Sequence, residues 1–264
     1  MSKPPKISRR NALKYGSAAV FGAAAAYAGM KLSSLRGGTN AAAPLRNRED
    51  NNSQNKKDMK ALLVNGSPHK TGCTFTALSE VASALEKNGV KAEIFWLGTA
   101  PISGCLGCGI CRSTGQCVLN DEVNAVAEKV SEFDGFVFGS PVHYAAASGF
   151  ITPFLDRLFY SSGKRFTCKP GAAVVSCRRA GSTAALEQLN KYFTICNMPI
   201  APSQYWNMVH GNSPDEVRRD LEGMQTMRTL GQNLAWLIKC IAAGKAAGVS
   251  SPTYEARVAT NFIR

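Results

Sequence analysis

Acidic side chains are absent from the first 48 residues, where nine lysines and arginines fall. Taking those nine from the 31 Lys and Arg leaves 22 against 18 Asp and Glu in the rest, so most of the +13 net charge sits in the leader. Beyond it no basic stripe interleaved with aromatics occurs, which argues against a nucleic-acid partner. Long apolar runs are missing too. Tyr15 to Met30 comes nearest, and it is too short and too rich in alanine to span a membrane. Neither G-x-x-x-x-G-K-[ST] nor G-x-G-x-x-G is present, so neither a P-loop nucleotide site nor the dinucleotide fingerprint is expected. No Ser/His/Asp or paired-carboxylate constellation is evident, and no internal repeat.

What the leader does contain is Ser8-Arg9-Arg10-Asn11-Ala12-Leu13-Lys14, a twin-arginine pattern ahead of the Ala/Gly-rich stretch. Residues 1–43 read as an export signal, with cleavage after Ala28 or among Ala41 to Ala43. Residues 44–57 read as a polar linker. The expected location is therefore the periplasm or beyond, with membrane contact only through the signal. Twin-arginine export carries proteins that are already folded, commonly with a cofactor installed.

Residues 58–264 hold the folded part. Ala61-Leu62-Leu63-Val64 ends in Asn65-Gly66-Ser67-Pro68, the pattern of a buried parallel strand entering a loop. Phe75, Leu78, Val81, Ala82 and Leu85 then fall at helical spacing, closed by Asn88-Gly89. Further strands are expected at Ile94–Leu97, Phe136–Phe138, Ala172–Val175 and, poorly patterned, Tyr205–Val209. Helices are expected after an Asp121 cap, over Ile151 to Leu158, over Thr183 to Cys196, and from Met224 to Ile241. This alternation predicts an α/β fold: a doubly wound, flavodoxin-like, five-stranded parallel sheet with a cysteine-rich loop insertion at 101–120. Ligands of such sheets bind beyond the carboxyl ends of the strands, which singles out three loops.

That insertion packs four cysteines into thirteen residues, Cys105-x2-Cys108-x2-Cys111-x5-Cys117. Three thiolates at such steps with a fourth soon after suit a 4Fe–4S cubane, in which each iron takes one cysteine. Structural zinc more often uses two separated Cys-x2-Cys pairs. Zinc, a pair of disulfides and inert thiols remain the other readings. Cys168, Cys177, Cys196 and Cys240 are scattered and read as mostly buried small hydrophobes.

The first loop, Gly66 to Thr74, offers two glycines, hydroxyls and a helix N-terminus, a cradle suited to a single terminal phosphate such as that of FMN. The second, Gly139 to Tyr144, has small residues for close approach to a flat ring, with His143 or Tyr144 placed to lie against one face or simply to pack and be solvated. In the third, Cys177 to Ser182, Arg178 and Arg179 either neutralise a reduced flavin, meet an anionic partner, or form a solvated turn.

GSPHKTGCT, the cysteine run, SPVHYAAASGFITPFLDRLF and the terminal TNFIR together resemble the iron–sulfur flavoprotein branch of the NADPH-dependent FMN reductase superfamily, over about residues 59 to 264. The resemblance implies one FMN per subunit, its phosphate held by Ser67, His69, Cys73 and Thr74, its ring lined by Ser140, Pro141, Val142, His143 and Tyr144. It also implies iron on Cys105, Cys108, Cys111 and Cys117, and a homo-oligomer that brings the cluster of one subunit near the flavin of another. Two departures stand out. His69 occupies a position where the branch often has arginine, and clusterless relatives retain some of the cysteines.

The expectation is thus an exported FMN-dependent oxidoreductase that relays electrons through a cluster, drawing on an electron-donor protein or quinol and serving a small-molecule acceptor. The periplasm lacks a nicotinamide pool, which disfavours NADPH as donor. The other readings are a cluster-free NAD(P)H-dependent FMN or quinone reductase, a non-catalytic flavin-binding redox sensor with disulfides, and a zinc-stabilised interaction module.

Overall fold

The computed structural model describes residues 58–256, 258 and 260. The twin-arginine segment 1–43, the linker 44–57 and residues 261–264 of the terminal motif lie outside the described residues. Within them the elements follow as β1 (Lys60–Asn65), α1 (Cys73–Lys87), β2 (Lys91–Trp96), α2 (Cys111–Thr114), α3 (Glu122–Lys129), β3 (Gly135–His143), β4 (Ala146–Ala147), α4 (Ile151–Ser162), β5 (Gly171–Cys177), α5 (Ser182–Ile195), β6 (Met208–His210), α6 (Pro214–Arg219) and α7 (Leu221–Ala246). Five strands pair in parallel in the order β2-β1-β3-β5-β6, the flavodoxin-like winding with its switch between β1 and β3.

Burial explains why the central strands are continuous apolar runs. β5 is buried throughout and β1 at five of its six residues, because helices cover both faces of a parallel sheet. One core lies between the sheet and α3, α4 and α5, the other between the sheet and α1 and α7. On α1 the stripe Leu78, Val81, Ala82, Leu85 faces inward as its spacing requires, whereas Phe75 is only half-buried and Thr74, Thr76 and Ala77 take its place. Among the described residues no helix is long and apolar enough to cross a membrane.

Phe138 forms the centre of the first core. Its ring lies 5.7 Å from Phe193, 5.8 Å from Phe159 and 6.5 Å from Phe136. Phe138→Ala is expected to cost about 4 kcal/mol through lost burial and a residual cavity, read as a lowered urea midpoint with an unchanged slope.

Three expectations need correction. The segment Gly139–Tyr144 is not a free loop. β3 runs on to His143 and turns back through Tyr144 and Ala145 into β4, which pairs with it antiparallel as a sixth strand. The fifth parallel strand is shorter and later than Tyr205–Val209, because Tyr205 and Trp206 stay exposed at the sheet edge. Helix α6 was not anticipated, although its start carries a usable signal: the Ser213 hydroxyl accepts from Glu216 N and Pro214 stands in the first turn.

Candidate functional site

β1 ends at Asn65, and this buried side chain shapes the loop that follows. Its Oδ1 accepts from Ser67 N at 3.1 Å and its Nδ2 donates to Lys70 O at 3.2 Å. Ser67 Oγ accepts from His69 N at 3.1 Å, Trp96 Nε1 donates to Ser67 O at 2.8 Å, and Ser148 Oγ donates to Gly66 O at 2.8 Å. A loop tied at so many points is preorganised, so little ordering entropy is left for a ligand to supply.

α1 begins after Gly72 with no side-chain cap and no acid in its first turn. Its leading N–H groups are thus available to an anion, favoured further by the helix dipole. Pro68, His69, Lys70, Thr71, Cys73 and Trp96, with Asn212 and Pro214, line an open hollow of about 430 Å³. Lys70 adds a positive charge, its Nζ 5.7 Å from the Trp96 ring centroid. This donor set, with hydroxyls, uncapped amides and a lysine, fits a phosphate ester.

The expected phosphate residues are brought together here but present themselves differently. His69 is exposed and Cys73 half-buried. Ser67 and Thr74 are buried, and the Thr74 hydroxyl is paired with Ser176 Oγ at 2.8 Å. Burial pushes the Cys73 thiol up from its ordinary value, so Cys73 stands there as a neutral group.

The ring-side residues lie on the β3–β4 hairpin. Tyr144 and Ala145 take left-handed conformations (φ 51° and 59°), and Tyr144 projects fully into solvent. Such backbone is costly outside glycine and persists only where the surroundings impose it. They do so here: Gln188 Oε1 accepts from Ala147 N at 2.9 Å, and Ser148 N donates to Ser140 Oγ at 2.9 Å. The Ser140 hydroxyl is thereby committed within the protein, while Pro141 and Val142 are half-buried and His143 and Tyr144 exposed along the arm. From the third loop, Cys177 is buried, which pushes its thiol up, and Arg178 is exposed. Gly181, at φ 90°, lies directly beneath Ala145.

The cysteine loop forms a second centre that shares no lining residue with the first. Cys105, Cys108, Cys111 and Cys117 all border one cavity of about 90 Å³, together with Leu106, Val118, Arg157 and Tyr160. Gly107, Gly109 and Gly115 are left-handed (φ 65°, 73° and 72°), which lets the chain curl between successive cysteines, and Gly107 N donates to Cys105 Sγ at 3.5 Å. Cys111 opens α2, its Sγ 3.8 Å from Tyr160 O. Among the described residues no three Cys, His, Asp or Glu close on a point as a single ion would need. Four cysteines ranged around a cavity, with one left-handed glycine between each successive pair, are a donor set that would suit a cubane, which takes each cysteine at a different iron, better than a single ion.

Sequence reading missed the residues that hold this loop. Asn124 accepts from Cys117 N at 3.0 Å and donates to Cys117 O at 2.9 Å. Arg157 is buried in contact with Cys117 and Asp121. Burial alone would lower its pKa, but the hydrogen bonds to Asp121 and Cys117 outweigh this and raise it. Its signal was present, because Arg157 falls on the apolar stripe of α4 between Phe154 and Leu158. Asp121 caps α3 as expected, accepting from Val123 N at 3.1 Å. Of the four scattered cysteines only Cys177 is buried. Cys168 and Cys196 are half-buried and Cys240 is exposed, so the reading of small core hydrophobes holds for one of them. All nine cysteines are free thiols.

The pattern that describes NADPH-dependent FMN reductases matches residues 59–213, from the first strand past the last. The chain belongs to this family. As a family member it is an FMN-dependent oxidoreductase of flavodoxin-like fold. Among its relatives, an iron–sulfur flavoprotein of Methanocaldococcus jannaschii is 28 % identical over 191 residues, 69 % of this chain and 99 % of that one. Another, from Methanosarcina thermophila, is 23 % identical over 188 residues, 69 % and 97 % of the two chains. The fold is shared with RosB, solved with bound 8-demethyl-8-formylriboflavin-5'-phosphate (TM-score 0.57, 15 % identity, covering 77 % of this chain and 92 % of that one). It is shared too with a flavone reductase (TM-score 0.54, 16 % identity, 70 % and 64 %).

Proposed function

We propose that this family member is an exported electron-transfer flavoprotein in which Cys105, Cys108, Cys111 and Cys117 hold a 4Fe–4S cluster that exchanges electrons with FMN. The observation that carries the reading is that all four cysteines border one cavity, in a chain whose first loop also offers a donor set suited to a phosphate ester. The relatives named iron–sulfur flavoproteins support it. When bound, FMN supplies the interchange between one- and two-electron chemistry and the cluster supplies single-electron transfer. The chain's own residues position these groups. Ser67, His69, Lys70 and the first-turn amides of α1 would hold the phosphate, Pro141 to Tyr144 would border the ring, and Arg178 would offset negative charge near it.

α4 separates the two centres within one subunit. Ile151 packs under Gly66, and Tyr160 meets Cys111 nine residues later, about 14 Å along the helix. Leu106, Ile110 and Val118 are exposed around the cysteines. A homo-oligomer that covers this rim and brings the cluster of one copy to the flavin of the next is therefore part of the proposal. So are the twin-arginine route, a carrier protein or quinol as donor, and a small-molecule acceptor.

The test is an anaerobic visible spectrum of the purified protein with iron and acid-labile sulfide analysis. A flavin spectrum over a dithionite-bleachable shoulder, with about four irons and four sulfides per chain, is expected. Flavin without iron would sink the cluster. A second reading, a cluster-free NAD(P)H-dependent FMN or quinone reductase, is favoured by the family match itself. Rapid, saturable NADPH oxidation by the protein would move it to first place and remove the carrier or quinol as donor.

A further inference from the structure

Arg157 makes an unusual commitment for a cation: it is 1 % exposed. Taking a guanidinium out of water costs several kcal/mol unless every donor is matched. Here five donor contacts are made. Nη1 and Nη2 form a fork on Asp121, at 2.5 Å to Oδ2 and 2.8 Å to Oδ1. Nη2 also donates to Leu119 O at 2.8 Å and Nη1 to Ser103 O at 3.4 Å. The remaining donor, Nε, points at Cys117 Sγ from 3.2 Å. Ser103 precedes the first cysteine, while Leu119 and Asp121 follow the last, so one side chain grips both ends of the loop. A purely structural clip would need only the carboxylate and the carbonyls. The Nε contact goes further, placing a positive donor on one sulfur of the four.

We propose that Arg157 is a positioning residue of the cysteine centre, pinning residues 103–121 into the cavity-forming arrangement and making the centre easier to reduce through its hydrogen bond to Cys117. This rests on the cluster reading above. Reduction adds one electron to the centre, and the extra negative charge spreads onto the ligand sulfurs. A charged donor at one sulfur stabilises the reduced form more than the oxidised form and so raises the potential. Lysine at this position keeps the charge but has no planar fork to reach Asp121 and Cys117 together.

The test uses full-length, anaerobically reconstituted protein, with wild type, Arg157→Lys and Arg157→Met compared. Iron and sulfide content is measured, the cluster is titrated with dithionite as the electron source under EPR, and the FMN potential serves as internal control. Amide hydrogen exchange over 103–121 is followed on metal-free protein. Arg157→Lys is expected to keep iron while its cluster potential moves negative and the FMN potential stays. Arg157→Met is expected to exchange faster across the loop and to bind iron tenfold or more weakly. Iron-replete Arg157→Lys with an unshifted potential overturns the tuning role, and wild-type exchange in Arg157→Met overturns the pinning role. Should Arg157→Met not fold, the exchange of Arg157→Lys decides the pinning. A wild-type protein that takes up no iron overturns the cluster reading and the tuning with it, whereas the exchange data still decide whether Arg157 holds the loop.

Discussion

Cys108→Ala is expected to abolish acid-labile sulfide and cluster absorbance while the flavin spectrum stays intact. Cys108 is exposed, lies between two left-handed glycines, and contributes nothing to either core. Its truncation therefore removes one iron ligand and almost no buried area. A cubane that loses one of four protein thiolates has an iron open to solvent, and near the surface it decomposes. The proposed phosphate cradle shares no residue with the cysteine cavity, so the flavin reports that the fold survives. Cys240→Ala, an exposed cysteine on α7, serves as control and is expected to change nothing. Full iron and sulfide in Cys108→Ala would mean that the motif does not hold the metal.

The other large effect is expected at Gly181, where Gly181→Ala loosens FMN and destabilises the fold together. At φ 90° the new side chain carries a left-handed penalty of about 1–2 kcal/mol. Its Cβ would also stand 2.7 Å from Ala145 Cα, which is backbone and can give way only if the whole turn shifts, adding about 1–3 kcal/mol. The sum, about 3 kcal/mol, corresponds to a melting temperature lower by roughly 10 °C for a domain of this size. Relief comes from pushing the Tyr144–Ala145 turn outward, which carries the ring-side arm Pro141–Tyr144 away from the cradle. FMN dissociation, followed by recovery of flavin fluorescence, is expected to be at least tenfold easier. Unaltered FMN affinity in a destabilised Gly181→Ala would show that the hairpin does not line the flavin.

How much of this could be read from the chain alone differs between elements. β1, β3 and β5 were legible because strands covered on both faces must be apolar throughout. β6 was legible as a strand but not in its bounds, since it has three residues and approaches the sheet through exposed Tyr205 and Trp206. The β3–β4 hairpin was invisible because its turn uses Tyr144 and Ala145, not the Asn-Gly or Asp-Gly that a left-handed turn favours. In the first loop GSPHKTGCT marked the cradle, yet nothing in it says that Thr74 spends its hydroxyl on Ser176, 102 residues away. At the cysteines, spacing identified the four thiols but not what holds them.

The sequence by itself determined the alternation of strand and helix, the place of the cradle after β1, and the grouping of Cys105, Cys108, Cys111 and Cys117. Each of these depends on residues near one another in the chain, where side-chain period and spacing carry the information. Only the tertiary structure decided that Trp96 and Ser148 brace the cradle, that Gly181 supports the hairpin, and that Arg157 reaches Cys117 across 40 residues. Those contacts exist only once α4 lies against the cysteine loop and the strand ends are gathered at one edge of the sheet. They depend on packing between distant segments, which local pattern does not encode.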